Sequence, residues 1–219
     1  MNLFSQLMEK PWAPVHNGVI ELRGQRTFLM PPSKLGLRTF FAVASVLFFL
    51  LVVAYSARME MEDWRPSPQL WLLWLNTAML AASSLAMQWA RISAHRNDDS
   101  GVRTGLIAGG VFAFAFLGGQ LLAWRQLNMM PLFDITNPAI GFFYVITALH
   151  ALHMLGGMVA WGRTTVKMLR GYGAAQLRLS IELCTAYMHF LLLVWLVLFG
   201  LLFSGNDNLG ILLTLCGIR

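Results

Sequence analysis

The feature that most constrains the fold is a series of long apolar segments separated by short polar stretches. Hydrophobic residues make up 57% of the chain and charged residues only 12%, which is not the composition of a soluble globular domain. About 20 consecutive apolar residues are enough for a helix to cross the hydrocarbon core of a bilayer. Five such segments occur, at residues 35–57, 69–91, 102–124, 139–161 and 178–204. The sequence therefore predicts an all-α integral membrane protein, a five-transmembrane-helix bundle in one domain.

The flanking regions are predicted to lie outside this bundle. Residues 1–34 contain four prolines and no apolar core of a signal peptide, so we expect a cytoplasmic segment there. Residues 205–219 are expected to form a short tail on the outer side, since the apolar piece within them is too short to span. Two cysteines in the whole chain make neither a disulfide framework nor a metal site.

The distribution of basic residues predicts the orientation in the membrane. Twelve of the 16 lysines and arginines fall on the side of the N-terminal segment and of the second and fourth loops, and four fall on the other side. Basic residues are enriched in cytoplasmic loops. We therefore predict a cytoplasmic N-terminus and a C-terminus on the outer side. The net charge of +6 is explained by this topology, and no nucleic-acid partner is expected.

Small residues recur at helical spacing in the second and third segments. Ala78 and Ala82 begin a run of alanines every fourth residue, and Gly105 and Gly109 begin a similar run in the next segment. Small side chains at this spacing let two transmembrane helices approach closely. We expect these two helices to make the closest contact of the bundle, without a catalytic role.

Ionisable residues within the fourth and fifth segments are the candidate functional residues. His150 and His153 share one face of the fourth helix, while Glu182 and His189 lie two turns apart on the fifth. The two helices run in opposite directions, so the three histidines should lie at similar depth and form one polar cluster. Hydrogen-bonded structural side chains are one interpretation, and ligation of a metal or haem is another, although it needs further ligands. A lipid-linked or proton-linked role also stays open.

Two strings in these segments carry a family resemblance. The first contains Phe142-Phe143, Thr147, His150, His153 and Gly157; the second contains Glu182, Tyr187, His189-Phe190 and Val194-Trp195. Together they resemble subunit III of the haem–copper terminal oxidases. Residues 75–84 and 116–122 are also similar to that family, and the resemblance covers about residues 35–204. The five segments are similar to the short bacterial form of the subunit.

The resemblance implies a non-catalytic core subunit of a respiratory oxidase, most simply cytochrome c oxidase. Such a subunit packs directly on subunit I, lies in the same complex as subunit II, and binds membrane phospholipid in the bacterial plasma membrane. Haem and copper are held by the partner subunits, so no cofactor, metal or catalytic residue is expected in this chain. Three positions depart from the family pattern of carboxylates, at Ser45, Ala123 and Leu192. Roles assigned to those carboxylates are not transferred to this chain.

Other functions remain possible at this point. The chain could be a similar accessory protein of a quinol oxidase or of a nitric oxide reductase. It could also be an independent dihaem cytochrome, in which His150 or His153 faces His189 across a haem. A transporter would show inverted repeats and broken helices, and neither pattern is visible in the sequence.

Overall fold

The computed structural model describes residues 32–64, 70–129 and 137–203. The described residues form five helices and no strand, namely α1 (Pro32–Met59), α2 (Leu72–His95), α3 (Asp99–Asn128), α4 (Pro138–Leu169) and α5 (Ala174–Phe203). The chain divides into two units after residue 36, and all contacts discussed below lie within residues 37–203. The predicted outer tail lies outside the described residues, as do residues 1–31 of the predicted cytoplasmic segment.

The helices have the length and polarity of membrane spans. Four of them, α1, α3, α4 and α5, are long and apolar enough to cross a membrane. The 24 residues of α2 reach about 36 Å at 1.5 Å per residue, but α2 is less hydrophobic than the other four. Its outer surface is nevertheless apolar, with Trp74, Leu85 and Trp89 exposed, while Asn76 and Ser83 are buried. The prediction of an all-helical membrane bundle with five helices is confirmed.

The largest departure from the predicted boundaries is at the end of α4. The apolar segment ends at residue 161, but α4 continues to Leu169 and includes the charged residues Arg163 and Lys167. Hydropathy detects only the part of a helix inside the hydrocarbon, and the helix continues beyond it. Gly171, with φ of +88°, ends α4 by donating to the carbonyl of Met168 at 3.0 Å, as in a Schellman motif. The helix thus extends past the predicted apolar segment, and the connection between α4 and α5 spans only residues 170–173.

A tight turn joins α2 to α3. Asn97 has φ of +54°, and the amide of Asp98 donates to the carbonyl of Ser93 at 3.0 Å, which ends α2 in the same way as α4. The Asp98 carboxylate then caps α3 by accepting from the Ser100 amide at 3.1 Å. The Ser100 hydroxyl, followed by the backbone amide of Gly101, lowers the pKa of the Asp98 carboxyl. Both ends of the turn are thus satisfied, and α2 and α3 run antiparallel.

Packing between α2 and α3 is the most extensive helix contact in the bundle, as the small residues predict. A Cβ atom at Gly105 would lie 2.7 Å from the Ala90 backbone nitrogen, and one at Gly109 would lie 2.9 Å from the Met87 sulfur. The backbones approach so closely because these two α3 positions carry no side chain.

The alanines of α2 do not all lie at the predicted contact with α3. Ala78 is exposed and Ala82 only half-buried, whereas Ala90 is fully buried against α3. Residues four apart are displaced by about 40° around a helix of 3.6 residues per turn. A run of alanines at this spacing therefore winds from the outer surface of α2 at Ala78 to the α3 contact at Ala90.

Aromatic side chains connect α1 to the rest of the bundle. Phe41 stacks on Phe190 of α5 with ring centroids 4.4 Å apart. Tyr55 packs edge-on against Phe142 of α4 at 5.7 Å. Most other large side chains of α1 are exposed. Large rings thus bridge α1 to α4 and α5, and they place Phe48 beside the histidines of α4.

Candidate functional site

Three polar side chains of α2 point into the bundle and are bonded to neighbouring helices. Asn76 donates through Nδ2 to Oε1 of Gln120 on α3 at 3.3 Å, and Ser83 donates through Oγ to a backbone carbonyl of α3 at 2.8 Å. On the other side, Nε1 of Trp195 donates to Oγ1 of Thr77 at 2.9 Å. An unpaired polar group in hydrocarbon costs several kcal/mol. These bonds therefore stabilise α2 between α3 and α5.

His150 is fully buried and surrounded by aromatic rings. Its ring centroid lies 5.1 Å from that of Trp195, 5.7 Å from that of Phe116 and 6.3 Å from that of Phe48. Within the described part of the chain, neither ring nitrogen has a hydrogen-bond partner. A charge at this place would be strongly unfavourable, so the imidazole packs as a neutral ring between α1, α3 and α5.

His153 occupies the junction of α1, α4 and α5. Its Nδ1 donates to the carbonyl of Leu149 at 2.8 Å. The ring packs between Phe48 and Phe40 of α1, with centroid distances of 5.2 Å and 5.8 Å. The Tyr187 hydroxyl of α5 donates to the His153 carbonyl at 2.9 Å. His153 thus links α1 to the α4–α5 pair through packing and backbone bonding.

His189 lies on the outer side of α5 and contacts α2. Its Nδ1 bonds to Oγ of Ser84, and its Nε2 bonds to Oε1 of Gln88 at 3.2 Å. The amide oxygen of Gln88 can only accept, so Nε2 carries the proton and Nδ1 accepts from the Ser84 hydroxyl. Both ring nitrogens are engaged, although the residue remains exposed on the bundle surface.

Glu182 lies two turns before His189, close to the end of α2. Its carboxylate oxygen Oε1 is 3.3 Å from Nε2 of His95. Arg178, one turn earlier on α5, bonds to Nδ1 of the same imidazole. An imidazole that accepts from an arginine at one nitrogen and donates to a carboxylate at the other links the two charged side chains. This group ties the ends of α2 and α5 together.

The four predicted residues do not form one cluster in the structure. His150 and His153 both pack against Phe48 of α1. His189 bonds to Ser84 and Gln88 of α2, and Glu182 pairs separately with His95 of α2. Depth along the membrane alone does not bring side chains together, because each also needs a helix face that points at the others. Among residues 32–64, 70–129 and 137–203, no group of three or more His, Cys, Asp or Glu side chains is arranged to hold a metal ion.

Sequence reasoning missed the α2 side of these contacts. Ser84, Gln88 and His95 each bond to a polar residue of α5. They are four and seven residues apart, the spacing of one helix face. This spacing in the sequence indicates a polar face on α2. The low hydropathy of α2 relative to the other four segments is a second indication of such a face.

The three residues that stand where the family pattern has a carboxylate lie in different surroundings. Ser45 is exposed on α1, and Ala123 is fully buried in α3. Leu192 is half-buried and packs against the hydrophobic core. Each position accommodates its uncharged residue.

Comparisons with known proteins identify the family. A family model for cytochrome c oxidase subunit III matches residues 22–205. The chain is 29% identical to cytochrome c oxidase subunit 3 of Thermostichus vulcanus over 175 residues, which cover 77% of this chain and 85% of the relative. It is 30% identical to the probable cytochrome c oxidase subunit 3 of Mycobacterium bovis over 181 residues, or 78% of this chain and 88% of the relative. The chain therefore belongs to the cytochrome c oxidase subunit III family.

Proposed function

We propose that this chain is a non-catalytic membrane subunit of a bacterial cytochrome c oxidase. In this proposal it packs directly on subunit I, shares the complex with subunit II, and supports the proton-coupled reduction of oxygen to water. The observation that carries the proposal is the family match over residues 22–205. Bacterial relatives with the name cytochrome c oxidase subunit 3 favour this enzyme over a quinol oxidase or a nitric oxide reductase. They also favour the bacterial plasma membrane as its location.

The surroundings of the histidines support a role without haem. A bis-histidine haem needs two imidazoles that face each other with a porphyrin between them. The His150 ring is enclosed by Phe48, Phe116 and Trp195, while His189 directs both nitrogens to α2. These residues do not fit a haem site. We therefore assign haem and copper to the partner subunits.

The proposed contribution of this chain is mechanical. The aromatic contacts of His153 hold α1 against α4 and α5, and the Glu182–His95–Arg178 group holds the ends of α2 and α5. Because these contacts keep the helices in one arrangement, the bundle presents the same binding surface to the catalytic subunits throughout turnover. We further propose that membrane phospholipid binds to its exposed apolar surfaces, as expected from the resemblance.

The His153→Ala variant tests this function. The substitution removes the ring between Phe40 and Phe48 together with its bond to the Leu149 carbonyl, and loss of one hydrogen bond costs roughly 0.5–1.5 kcal/mol. We expect less of the subunit to remain in the purified oxidase, and activity to decline faster during turnover. The initial rate of oxygen consumption and the haem spectrum should stay nearly unchanged.

Leu152→Ala serves as the control, because Leu152 is the neighbouring residue and is 62% exposed. It should leave both retention and the time course of activity as in the wild type. If His153→Ala removed a haem or copper signal while the subunit stayed bound, a ligand role would replace the mechanical one.

A further inference from the structure

A partly exposed polar surface runs along the outside of α2 and α5, from the end of the membrane span to mid-membrane depth. We define this α2–α5 polar face by Gln88 on α2 and by Glu182, Ala186 and His189 on α5. His189 is 11 residues from Arg178 at the end of the membrane span, which corresponds to about 16 Å along the helix. The hydrocarbon core is about 30 Å thick, so the imidazole lies near its centre.

This face is unsuited to lipid. His189 is exposed and Gln88 half-buried, and ionisable or polar side chains at this depth are unfavourable against acyl chains. The other exposed residues on the adjoining ridges, such as Leu85, Trp89 and Leu193, are apolar. At the depth of His189, the polar groups therefore form a patch that apolar residues flank.

The polar face has a hydrogen-bond donor without an acceptor among the described residues. His189 donates through Nε2 to the Gln88 amide oxygen and accepts at Nδ1 from Ser84, so the ring is satisfied. The amide nitrogen of Gln88 has two protons to donate, and within the described residues no acceptor bonds to it. Acyl chains offer no acceptor. A transmembrane helix with a polar side chain or a free carbonyl at this depth does.

The shape of the face also suits a helix. On α5 the exposed Ala186 lies between Glu182 and His189, and small residues at a contact allow helices to approach closely. Near the membrane surface, the charged side chains of Arg178 and Glu182 extend the polar strip beyond the hydrocarbon. A partner helix that packs along this ridge would contact apolar, small and polar residues in turn.

We propose that the α2–α5 polar face binds a transmembrane helix of another subunit of the oxidase, one that presents a hydrogen-bond acceptor to the Gln88 amide at the depth of His189. This inference rests on the proposed function, since it takes the partner from the same complex. It goes further by assigning the contact to one side of the bundle and by specifying the chemistry of the partner helix.

Photo-crosslinking in intact membranes tests the assignment. A photoreactive phenylalanine analogue is introduced at Ala186 in the full chain, and the covalent products are identified by mass spectrometry. We expect a product with a transmembrane helix of another oxidase subunit that carries a side-chain or backbone acceptor near the crosslink. Products with lipid only, or with a second copy of this chain, would overturn the proposal.

A second measurement compares two exposed alanines. Ala186→Trp should block close approach and release the subunit from the detergent-solubilised complex about tenfold faster, as expected for the loss of one interhelical contact. Ala115→Trp, on the exposed side of α3, should leave the release rate unchanged. Release by Ala115→Trp with full retention by Ala186→Trp would place the interface elsewhere.

These results are separable from a failure of the proposed function. If the wild-type chain co-purifies with haem- and copper-bearing subunits but position 186 crosslinks only to lipid, the inference alone fails. If the wild-type chain recovers no such subunit, the proposed function itself fails.

Discussion

Replacing Gly105 by leucine is expected to prevent α2 and α3 from packing and to remove the subunit from the complex. A Cβ atom at this position would lie 2.7 Å from the Ala90 backbone nitrogen and 2.9 Å from the Ala86 carbonyl oxygen. Backbone atoms cannot rotate away as a side chain can, so the helices must separate. Overpacking costs typically 1–3 kcal/mol and occasionally more. We expect an effect at or above the upper end of that range.

Two further glycines of α3 provide a graded series. A Cβ at Gly109 would meet the flexible Met87 side chain at 2.9 Å, whereas nothing lies within 4 Å of one at Gly118. The Gly109→Leu variant should therefore be impaired less than Gly105→Leu, and Gly118→Leu should fold normally. Protease resistance in membranes and co-purification with the oxidase measure both properties. Normal assembly of Gly105→Leu would show that the two helices do not pack at this position.

The second large effect is expected at His150. Truncation to alanine removes a ring that contacts Phe48, Phe116 and Trp195, and truncation of a large side chain to alanine in a packed core costs about 2–5 kcal/mol. His150→Phe keeps the ring and removes two ring nitrogens that lack partners among the described residues. Leaving a buried polar group unsatisfied costs about 1–3 kcal/mol. The phenylalanine variant should therefore be at least as stable as the wild type.

This pair of variants also separates packing from ligation. Unfolding in mild detergent, followed by the accessibility of the buried Cys184 thiol, should rank alanine well below phenylalanine and the wild type. A packing role predicts that His150→Phe assembles and leaves the haem spectrum of the oxidase unchanged. Equal losses in both variants, together with a changed haem spectrum, would indicate that an imidazole nitrogen is required.

The membrane fold could be predicted because lipid imposes a simple rule on sequence. Every span must be about 20 residues of mostly apolar character, and this rule located all five helices. The same rule does not determine where a helix ends, because a chain can stay helical in water. Arg163 and Lys167 thus belong to α4, and the end depends on the positive φ of Gly171.

Contacts between side chains were harder to predict than the helices. Spacing correctly placed Gly105 and Gly109 at the α2–α3 contact, but the alanines of α2 wind around their helix, so Ala78 is exposed. Likewise, similar depth placed His150 and His189 at one level without making them meet. The rotation of each helix about its own axis decides these contacts, and that rotation is set by packing against neighbours that a single segment does not encode.

The most direct test of the central claim is a measurement of where haem and copper reside. The oxidase is purified through an affinity tag on this chain, and its subunits are identified by mass spectrometry before and after this chain is removed with detergent. Haem is then measured by the pyridine haemochrome spectrum and copper by elemental analysis. The proposed function predicts that both stay with the partner subunits, which keep their initial rate of oxygen reduction. Haem on the isolated chain, or purification without any haem–copper subunit, would contradict it.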